Sequence, residues 1–569
     1  MSNNRGYPIL NERARGWLRF LHRKATTPDD WSSTGEPHPW WDTHSYPPVA
    51  NFHRFDLEMS TFAVTMMSDV TPAWREVYTD IVDGLIQRHL THQAAIDWNT
   101  QIGNDPDRAN YPKEWINIWI PEELWGNYDR PGWVANGVAP WGLQPDPVGA
   151  EGNLFFKGWL NYMMGAYAYV SGDDKWHRPF WVTGYRDEQF QWTHGAINDL
   201  LTQQWTDHPE GPHCENTKIW PLCLSGAGLG LKLHDNLYGT GDHWVYQRWL
   251  EIARERFVSI TPGGHVEWMA LFYDPLVDFL HKTSPMAWLT TCIFALPQDY
   301  QFSEIIYRSA VEQIGWTDLK REIAKPFDPR PLCIGLVLAR EFGDEITYAR
   351  LKDYVERHYE PTFFGPDLGD FGWHFGFGEH YPRGQLSALL MMQDVGDPGA
   401  WRGVLDSPNM QKFDEPTVHG VDFPHIGLSQ AYYDSRKSLL AVTTYVGSAS
   451  HAGRPTTLKV TNLCHPESCT IRCDGQTFNR WGVVSPDTIQ LDLDIAEHRI
   501  EMSINRLHES PVRTGVKYLE RPDWSPRETG LSRGRSASGT PQSTVSPPAG
   551  DLVPSPVAGG CADACCGSV

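Results

Sequence analysis

The sequence lacks long hydrophobic runs and an excess of positive charge. Nowhere do about eighteen consecutive apolar residues occur, and the N-terminus contains no apolar signal-peptide core, so we expect no membrane-spanning helix and no secretion signal. The formal net charge of -22 argues against nucleic acid or an anionic membrane surface as the main partner, because both require clustered Lys and Arg. These absences predict a cytoplasmic protein.

Cysteine is scarce, and the common nucleotide and hydrolase fingerprints are missing. A count of 10 Cys in 569 residues excludes a disulfide scaffold and fits a reducing compartment. No GxxxxGK[ST], GxGxxG, HExxH or GxSxG motif stands in a fitting context, which disfavours a phosphate loop, a dinucleotide site, a zinc protease and a serine hydrolase. The chemistry has to be sought in other residue patterns.

Aromatic residues are abundant, with 26 Trp, 22 Tyr and 23 Phe, and suit a deep cavity lined by rings. Apolar residues at helical spacing predict many helices, joined by segments rich in Gly, Pro and Trp, with no strands between them. This pattern favours an all-helical array. The predicted helices include residues 71–85, 154–170, 191–205, 223–236, 246–257, 284–296, 303–314, 332–342, 346–358 and 384–393.

Changes in composition divide the chain into four segments. Residues 1–51 are predicted to form an irregular arm, residues 52–437 the helical body, residues 438–518 an antiparallel β module, and residues 519–569 a disordered tail rich in Ser, Pro and Gly. The β module is predicted from short alternating or β-branched runs at 439–445, 456–462, 469–473, 488–493 and 498–504. The Asp474-Gly475 pair signals a hairpin within it.

Two thiols, Cys214 and Cys223, flank a polar turn that runs into a predicted helix. Their spacing is neither the CxxC of a redox motif nor part of a zinc ribbon. If both face one cavity, they can exchange protons with a substrate, or one can attack carbon as a thiolate. Two alternatives are that they are small core residues, or that they bind a metal with His213 or His234.

Several segments resemble the linalool dehydratase/isomerase family. They are the segment from Cys214 to Cys223, the following helix that ends in Leu233-His234-Asp235, and the Tyr381-Pro382-Arg383-Gly384-Gln385 segment. The resemblance extends over about residues 52–504. It implies an (α/α)6 barrel followed by the small β module, assembly of subunits into a ring, and acid–base chemistry on an isoprenoid alcohol without an organic cofactor. We expect no metal.

The resemblance also implies three catalytic residues, Asp56, Cys214 and Cys223. Where the family pattern has a tyrosine, a methionine and a histidine, this chain has Phe62, Phe155 and Trp159. Loss of a base and gain of rings favour stabilisation of a carbocation by π-faces. We therefore expect isomerisation or protonation-initiated cyclisation of a larger terpenoid as well as dehydration. On the residues alone, Asp56 is explained as a carboxylate at a helix start, where the helix dipole favours negative charge.

Further side chains are predicted to line the substrate cavity, although packing roles explain them equally well. Glu215 adjoins Cys214, and Tyr273 lies in a predicted loop where it would donate a hydroxyl hydrogen bond. Trp373 and His374 lie in a stretch that alternates Gly with rings, which suits a hydrophobic cavity mouth. The substrate-binding set is Phe62, Phe155, Trp159, Glu215, Tyr273, Trp373 and His374.

The sequence thus predicts a cofactor-independent lyase or isomerase of terpenoid biosynthesis. No aspartate-rich motif of diphosphate-ionising terpene synthases occurs, which favours a substrate activated by protonation. One alternative is a carbohydrate-active hydrolase or lyase with an α/α toroid. Another is a lipid-binding protein without turnover. Acylation of Cys561, Cys565 or Cys566 would anchor the chain to a membrane, but Cys566-Gly567-Ser568-Val569 lacks the aliphatic middle of a prenylation box, and we expect no anchor.

Overall fold

Helices dominate the part of the chain that the structure describes. The structure is a computed structural model, and it describes residues 6–32, 34–42, 53–95, 121, 123–124, 144–214, 218–326 and 328–504. Its helices are α1 (Glu12–Thr26), α2 (His53–Val70), α3 (Glu76–His89), α4 (His92–Ala95), α5 (Leu154–Ser171), α6 (His194–Asp207), α7 (Pro221–Tyr238), α8 (Trp244–Arg256), α9 (Pro285–Ala295), α10 (Tyr300–Ile314), α11 (Arg330–Glu341), α12 (Glu345–His358), α13 (Gly384–Val395) and α14 (Ala400–Asp406).

Six of these helices contact one another in a closed cycle. α2 packs on α5, α5 on α7, α7 on α9, α9 on α11, α11 on α13, and α13 on α2. Every residue from Leu154 to Val170 of α5 is buried, as expected of a helix that is surrounded by protein. α1, α3, α6, α8, α10 and α12 pack against members of the cycle. Exposed charged residues along α8 and α12 place these two helices towards solvent.

Small residues allow a close approach between α5 and α7. A Cβ atom added to Gly158 would lie 2.6 Å from the Cβ of Ala227, and one added to Gly230 would lie 2.9 Å from the backbone nitrogen of Tyr162. Distances this short leave no room for side chains between the two backbones. The register of α7 against α5 is therefore fixed at these glycines.

Short hairpins lie between the helices. They are formed by β1 (Phe180–Thr183) with β2 (Gln189–Trp192), by β3 (Val258–Ile260), β4 (Val266–Asp274) and β5 (Phe279–Thr283), and by β6 (Glu360–Phe364) with β7 (Asp370–His374). The expectation of a helical body without strands is wrong at these places. Two predicted loops, the one with Tyr273 and the one with Trp373 and His374, are in part strands, because their backbones pair with neighbouring strands: β4 with β3 and β5, and β7 with β6.

The β module packs two antiparallel sheets face to face. One has the order β13-β12-β16-β10-β9 and the other β14-β15-β11-β8. Val442 and Ile500 of the first sheet share a small cavity with Leu458 and Leu491 of the second. The strands are β8 (Thr417–His419), β9 (Ile426–Asp434), β10 (Leu439–Val446), β11 (Pro455–Thr461), β12 (Thr470–Cys473), β13 (Gln476–Thr477), β14 (Trp481–Ser485), β15 (Thr488–Asp494) and β16 (Arg499–Ser503).

Most predicted elements are confirmed. The helices predicted from α5 to α13 agree with the structure to within about three residues at each end. Asp474 and Gly475 have φ values of 52° and 80°, the pair of positive values that a two-residue hairpin turn requires. The β module, however, begins with β8 at Thr417 instead of residue 438, because β8 and β9 pair with later strands.

The N-terminal arm is not irregular throughout. Asn11 caps α1 by accepting a hydrogen bond from the backbone N–H of Ala14. The helix buries Trp17, Phe20 and Leu21 on one face and packs against α3 and β7. Arginines between these residues obscured the helical spacing. The predicted tail, with its three cysteines, lies outside the described residues.

Within the described ranges, no helix combines the length and apolar character needed to span a bilayer.

The α5–α7 contact yields a stability prediction. Replacing Gly158 by Ala should lower the free energy of unfolding by about 1–3 kcal/mol, because the added methyl group overpacks the contact. The control is Gly403→Ala in α14, where a Cβ atom meets nothing within 4 Å; it should be neutral or add up to about 1 kcal/mol. Urea denaturation of both variants measures this. Equal stabilities would contradict the close-packed register.

Candidate active site

A cavity lies inside the cycle of helices, because each of the six contributes to its wall directly or through a residue just before its start. About 40 Å³ is open to the centres of water molecules, which is room for a few waters. Most lining residues belong to the first two turns of their helices, so the cavity lies towards the helix N-termini. The lining residues are Arg54, Phe55, Met59, Phe155, Trp220, Leu222, Cys223, Thr290, Phe294, Asp328, Arg330, Pro331, Ile334, Gln385 and Leu389.

The two sides of this cavity differ in polarity. Most of the polar groups come from α2, from α13 and from the start of α11: they are Arg54, Gln385, Arg330 and Asp328. Arg330 donates from Nε to Asp328 Oδ2 at 2.7 Å. The opposite side, built by α5, α7 and α9, carries the rings of Phe155, Trp220 and Phe294 together with the Cys223 thiol. The cavity therefore has a polar half and an aromatic half.

Cys223 reaches the cavity from the first turn of α7. Trp220 is the N-cap and Pro221 the first helical residue, the position at which proline suits a helix. The backbone of Ile219, just before the cap, is held by two hydrogen bonds to Tyr273. A helix N-terminus favours negative charge, so this place stabilises a thiolate when the proton leaves.

Cys214, in the segment that precedes α7, is buried beside the start of α5. Its backbone N–H donates to the Lys218 carbonyl at 2.9 Å, and its carbonyl accepts from the Asn153 N–H at 2.6 Å. Cys214 and Cys223 are thus both near N-terminal ends of cycle helices, but Cys214 is not among the described lining residues. Glu215, between them, lies outside the described residues.

Sequence reasoning missed Lys157, which interacts electrostatically with Cys214. Lys157 is fully buried, and its ammonium group donates to the Ala150 carbonyl. Burial lowers the pKa of Lys157 to about 7, against the opposing effects of Asp146, Glu151 and Cys214. An amine near neutrality can accept and return protons. The available signal was a lone charge in an otherwise uncharged helix.

Asp56 lies in the first turn of α2 but outside the cavity wall. Its carboxylate accepts from Lys24 Nζ at 2.6 Å and from the Ser60 hydroxyl at 3.2 Å. It packs against the backbone of Gly384, next to the cavity residue Gln385. Burial raises the pKa of Asp56 to about 6, partly offset by Lys24. In this structure Asp56 joins α1, α2 and α13.

The rings predicted to bind substrate form two layers. Phe155 lines the cavity, and its ring centroid lies 5.2 Å from that of Trp159. Trp159 packs edge to face on Phe294 at 4.7 Å and on Phe62 at 4.9 Å. Trp159 and Phe62 are fully buried behind the wall. They support the lining rings, and their direct contact with substrate stays a prediction.

The remaining predicted substrate-binding residues are not brought into the cavity wall. The Tyr273 hydroxyl donates to Asp278 at 2.9 Å, and its ring lies 4.9 Å from the Arg256 guanidinium. Trp373 packs on Phe371 at 4.6 Å, with His374 next to it in β7. The stretch that suggested a cavity mouth begins as β7, in which all four residues from Asp370 to Trp373 are buried.

A buried pair, Glu58 and His89, lies behind Arg54. His89 Nε2 is 3.0 Å from Glu58 Oε1, and both side chains are inaccessible to solvent. Burial raises the pKa of Glu58 well above its ordinary value, and burial with the nearby Arg54 lowers the pKa of His89 to about 3. Burial therefore disfavours the charged form of both groups.

Comparison with known proteins supports the resemblance. The family model of linalool dehydratase/isomerase matches residues 108–366 of the chain. This range contains Phe155, Trp159, Cys214 and Cys223 and excludes Asp56. The predicted resemblance is confirmed, over a shorter stretch than residues 52–504.

Among solved structures, a GH127 β-L-arabinofuranosidase from Geobacillus stearothermophilus is similar at 10% identity. The alignment covers 87% of this chain and 77% of that chain, with a TM-score of 0.21. A TM-score this low carries no argument about fold or function.

The position of Asp56 predicts a mainly structural effect of its removal. Asp56→Asn should cost about 3 kcal/mol or more of unfolding free energy, because it leaves the Lys24 charge buried without its carboxylate. The double variant Lys24→Met/Asp56→Asn should regain part of that loss. Thermal unfolding of both proteins measures the effect. If the single variant is as stable as the wild type, the pair does not join α1 to α2.

Proposed function

We propose that this chain is a lyase or isomerase that transfers protons to and from a terpenoid substrate bound in the central cavity. The observation that carries the proposal is the Cys223 thiol in the aromatic half of a two-sided cavity, within the range that matches linalool dehydratase/isomerase. The reaction is dehydration, isomerisation or protonation-initiated cyclisation, without an organic cofactor, as a step of terpenoid biosynthesis.

The polarity of the cavity supports a defined substrate orientation. N–H groups of Arg54, Arg330 and Gln385 on the polar half suit the oxygen-bearing end of an alcohol. The rings of Phe155, Trp220 and Phe294 suit its hydrocarbon end, where they exclude water and face developing positive charge. Cys223 then lies beside the hydrocarbon end. This orientation puts the thiol near a C–H bond and the polar half near the leaving oxygen.

Cys223 is the proton-exchanging group that the described lining supports best. Arginine stays protonated, Gln385 and Thr290 do not titrate, and Asp328 is engaged by Arg330. Dehydration requires one proton to reach the hydroxyl oxygen as the C–O bond breaks and water leaves, and a C–H proton to pass to a base. A thiolate at the start of α7 accepts the latter, and a thiol returns it to carbon in the reverse direction.

Cys214 and Lys157 supply a second proton-exchanging pair in this proposal. Loss of a proton from the thiol to the neutral amine leaves an ion pair, and the reverse transfer restores both. Asp56, behind Gly384, remains a candidate carboxylate that acts through the α13 start. We further propose that substitutions at six other residues change substrate binding. Two of them, Phe62 and Trp159, act as a second layer behind the lining rings; the others are Glu215, Tyr273, Trp373 and His374.

We also propose that the helices form an (α/α)6 barrel and that subunits assemble into a ring. The closed contact cycle of α2, α5, α7, α9, α11 and α13, with a further helix packed against each pair or member, is the arrangement that such a barrel requires. A carbohydrate-active enzyme is less well supported. Glycoside hydrolysis uses two carboxyl groups, whereas the described lining contains one, Asp328.

The direct test is turnover by Cys223→Ser. Mass spectrometry of products from a panel of terpenoid alcohols should show at least a 100-fold loss of rate relative to wild type, since a general acid–base group contributes about 10²–10⁴-fold. The matched control is Cys464→Ser, at an exposed thiol of the β module, which should retain wild-type rates. Oligosaccharide turnover that survives in Cys223→Ser would overturn the proposal.

Lys157 predicts a pH dependence. With a folded pKa of about 7, the amine is neutral above pH 7 and accepts protons there, so kcat/KM should fall as pH decreases through about 7. Lys157→Met should lose that inflection while binding substrate with similar KM. Steady-state rates between pH 5.5 and 8.5 check this, in steps of about half a pH unit. An unchanged inflection in the variant would assign it to another group.

A further inference from the structure

Three buried histidines meet at the opposite end of α7 from Cys223. His177 ends a short 3-10 turn, His194 begins α6, and His234 lies in the last turns of α7. One ring nitrogen from each lies within 4.8 Å of the others. All three side chains are buried, and Tyr238 packs against them, with its ring centroid 4.1 Å from that of His177.

Hydrogen bonds fix which nitrogen of two of these rings carries a lone pair. His194 Nε2 lies 3.1 Å from the Asn161 carbonyl, which only accepts, so Nε2 holds the proton. The Thr240 hydroxyl donates to Asp235 at 2.6 Å, so its oxygen accepts from His234 Nδ1 at 3.1 Å. His194 Nδ1 and His234 Nε2 are therefore the unprotonated nitrogens. Such contacts to the second nitrogen are the usual support of metal-binding histidines.

The spacing of the rings fits a shared ion. With a metal–nitrogen bond of about 2.05 Å and tetrahedral angles, ring centroids are expected about 5.2 Å apart. The observed centroid separations are 4.9 Å for His194 and His234, 5.1 Å for His177 and His194, and 5.8 Å for His177 and His234. Small ring movements would complete the arrangement.

A buried nitrogen of His194 also points to a bound ligand. His194 Nδ1 is buried and has no hydrogen-bond partner among the described residues. A buried lone pair of this kind is costly unless something binds it. Close packing of three histidines explains their burial, but it leaves the His194 Nδ1 lone pair without a partner among the described residues.

We propose that His177, His194 and His234 bind one divalent transition-metal ion, with zinc favoured by the three-imidazole set. The fourth position is left to water or to the Tyr238 hydroxyl. Because His234 is eleven residues beyond Cys223 in α7, the site lies about 16 Å from the thiol. The ion therefore takes no part in the chemistry at Cys223, and it ties the turn at His177 and the start of α6 to the end of α7. This proposal does not depend on the proposed function.

The test uses the full-length protein and Zn²⁺ alone. After removal of metal with a chelator and gel filtration, titration against a chromogenic zinc indicator should give one high-affinity Zn²⁺ per chain, confirmed by elemental analysis. His194→Gln and His234→Gln should each lower the affinity at least about 100-fold. His281→Gln, in β5 and packed on Phe272, is the matched control and should bind as wild type does.

Two measurements on wild-type protein keep the proposal testable if those variants do not fold. Co²⁺ should give the intense visible absorption of a four-coordinate site. Zn²⁺ at about one hundred times its dissociation constant should raise the melting temperature by about 2–3 °C. Absence of stoichiometric Zn²⁺ binding, or equal binding by both histidine variants and wild type, would overturn the proposal. If the metal-free protein still shows catalysis that depends on Cys223, the zinc proposal stands, because the ion is not part of that chemistry.

Discussion

The close contact between α5 and α7 determines the geometry of the rest of the site. Gly158 and Gly230 let the two backbones meet with no side chain between them. That contact fixes the position of Phe155 on α5 relative to Cys223 on α7, and with it the aromatic half of the cavity. A larger residue at either glycine would move the thiol relative to the rings, and acid–base chemistry is sensitive to such shifts.

Burial of ionisable groups is the second constraint. Around the cavity, buried ionisable groups fall into three classes. Lys24 and Asp56 form an ion pair, Glu58 and His89 have pKa values shifted against their charged forms, and Lys157 has a pKa of about 7. The first two lie within the helical body and join its elements, α1 to α2 and α2 to α3. The third places a proton acceptor close to Cys214, where water is excluded and its own pKa allows exchange at neutral pH.

The sequence predicted the helices of the body well because their buried faces repeat at helical spacing, as in α5 and α7. It failed for α1, where arginines separate the buried Trp17, Phe20 and Leu21, and for the hairpins, whose four to nine residues give too short an alternation. Cys223 was predicted to face a cavity and does. Arg54, Arg330 and Gln385 were not predicted, because residues from three helices meet only in the folded chain. For the same reason, the sequence analysis considered His234 as a metal ligand together with the two thiols, whereas the structure places it beside His177 and His194.

The central claim is that the cavity exchanges protons between protein and terpenoid carbon. The most direct measurement is incubation of the wild-type protein with a terpenoid alcohol in D₂O, followed by mass spectrometry of recovered substrate and product. Our account predicts deuterium on carbon, at a rate that depends on the Cys223 thiol, because a proton removed to the thiolate exchanges with solvent before it returns. Turnover of the alcohol without deuterium on any carbon would contradict it.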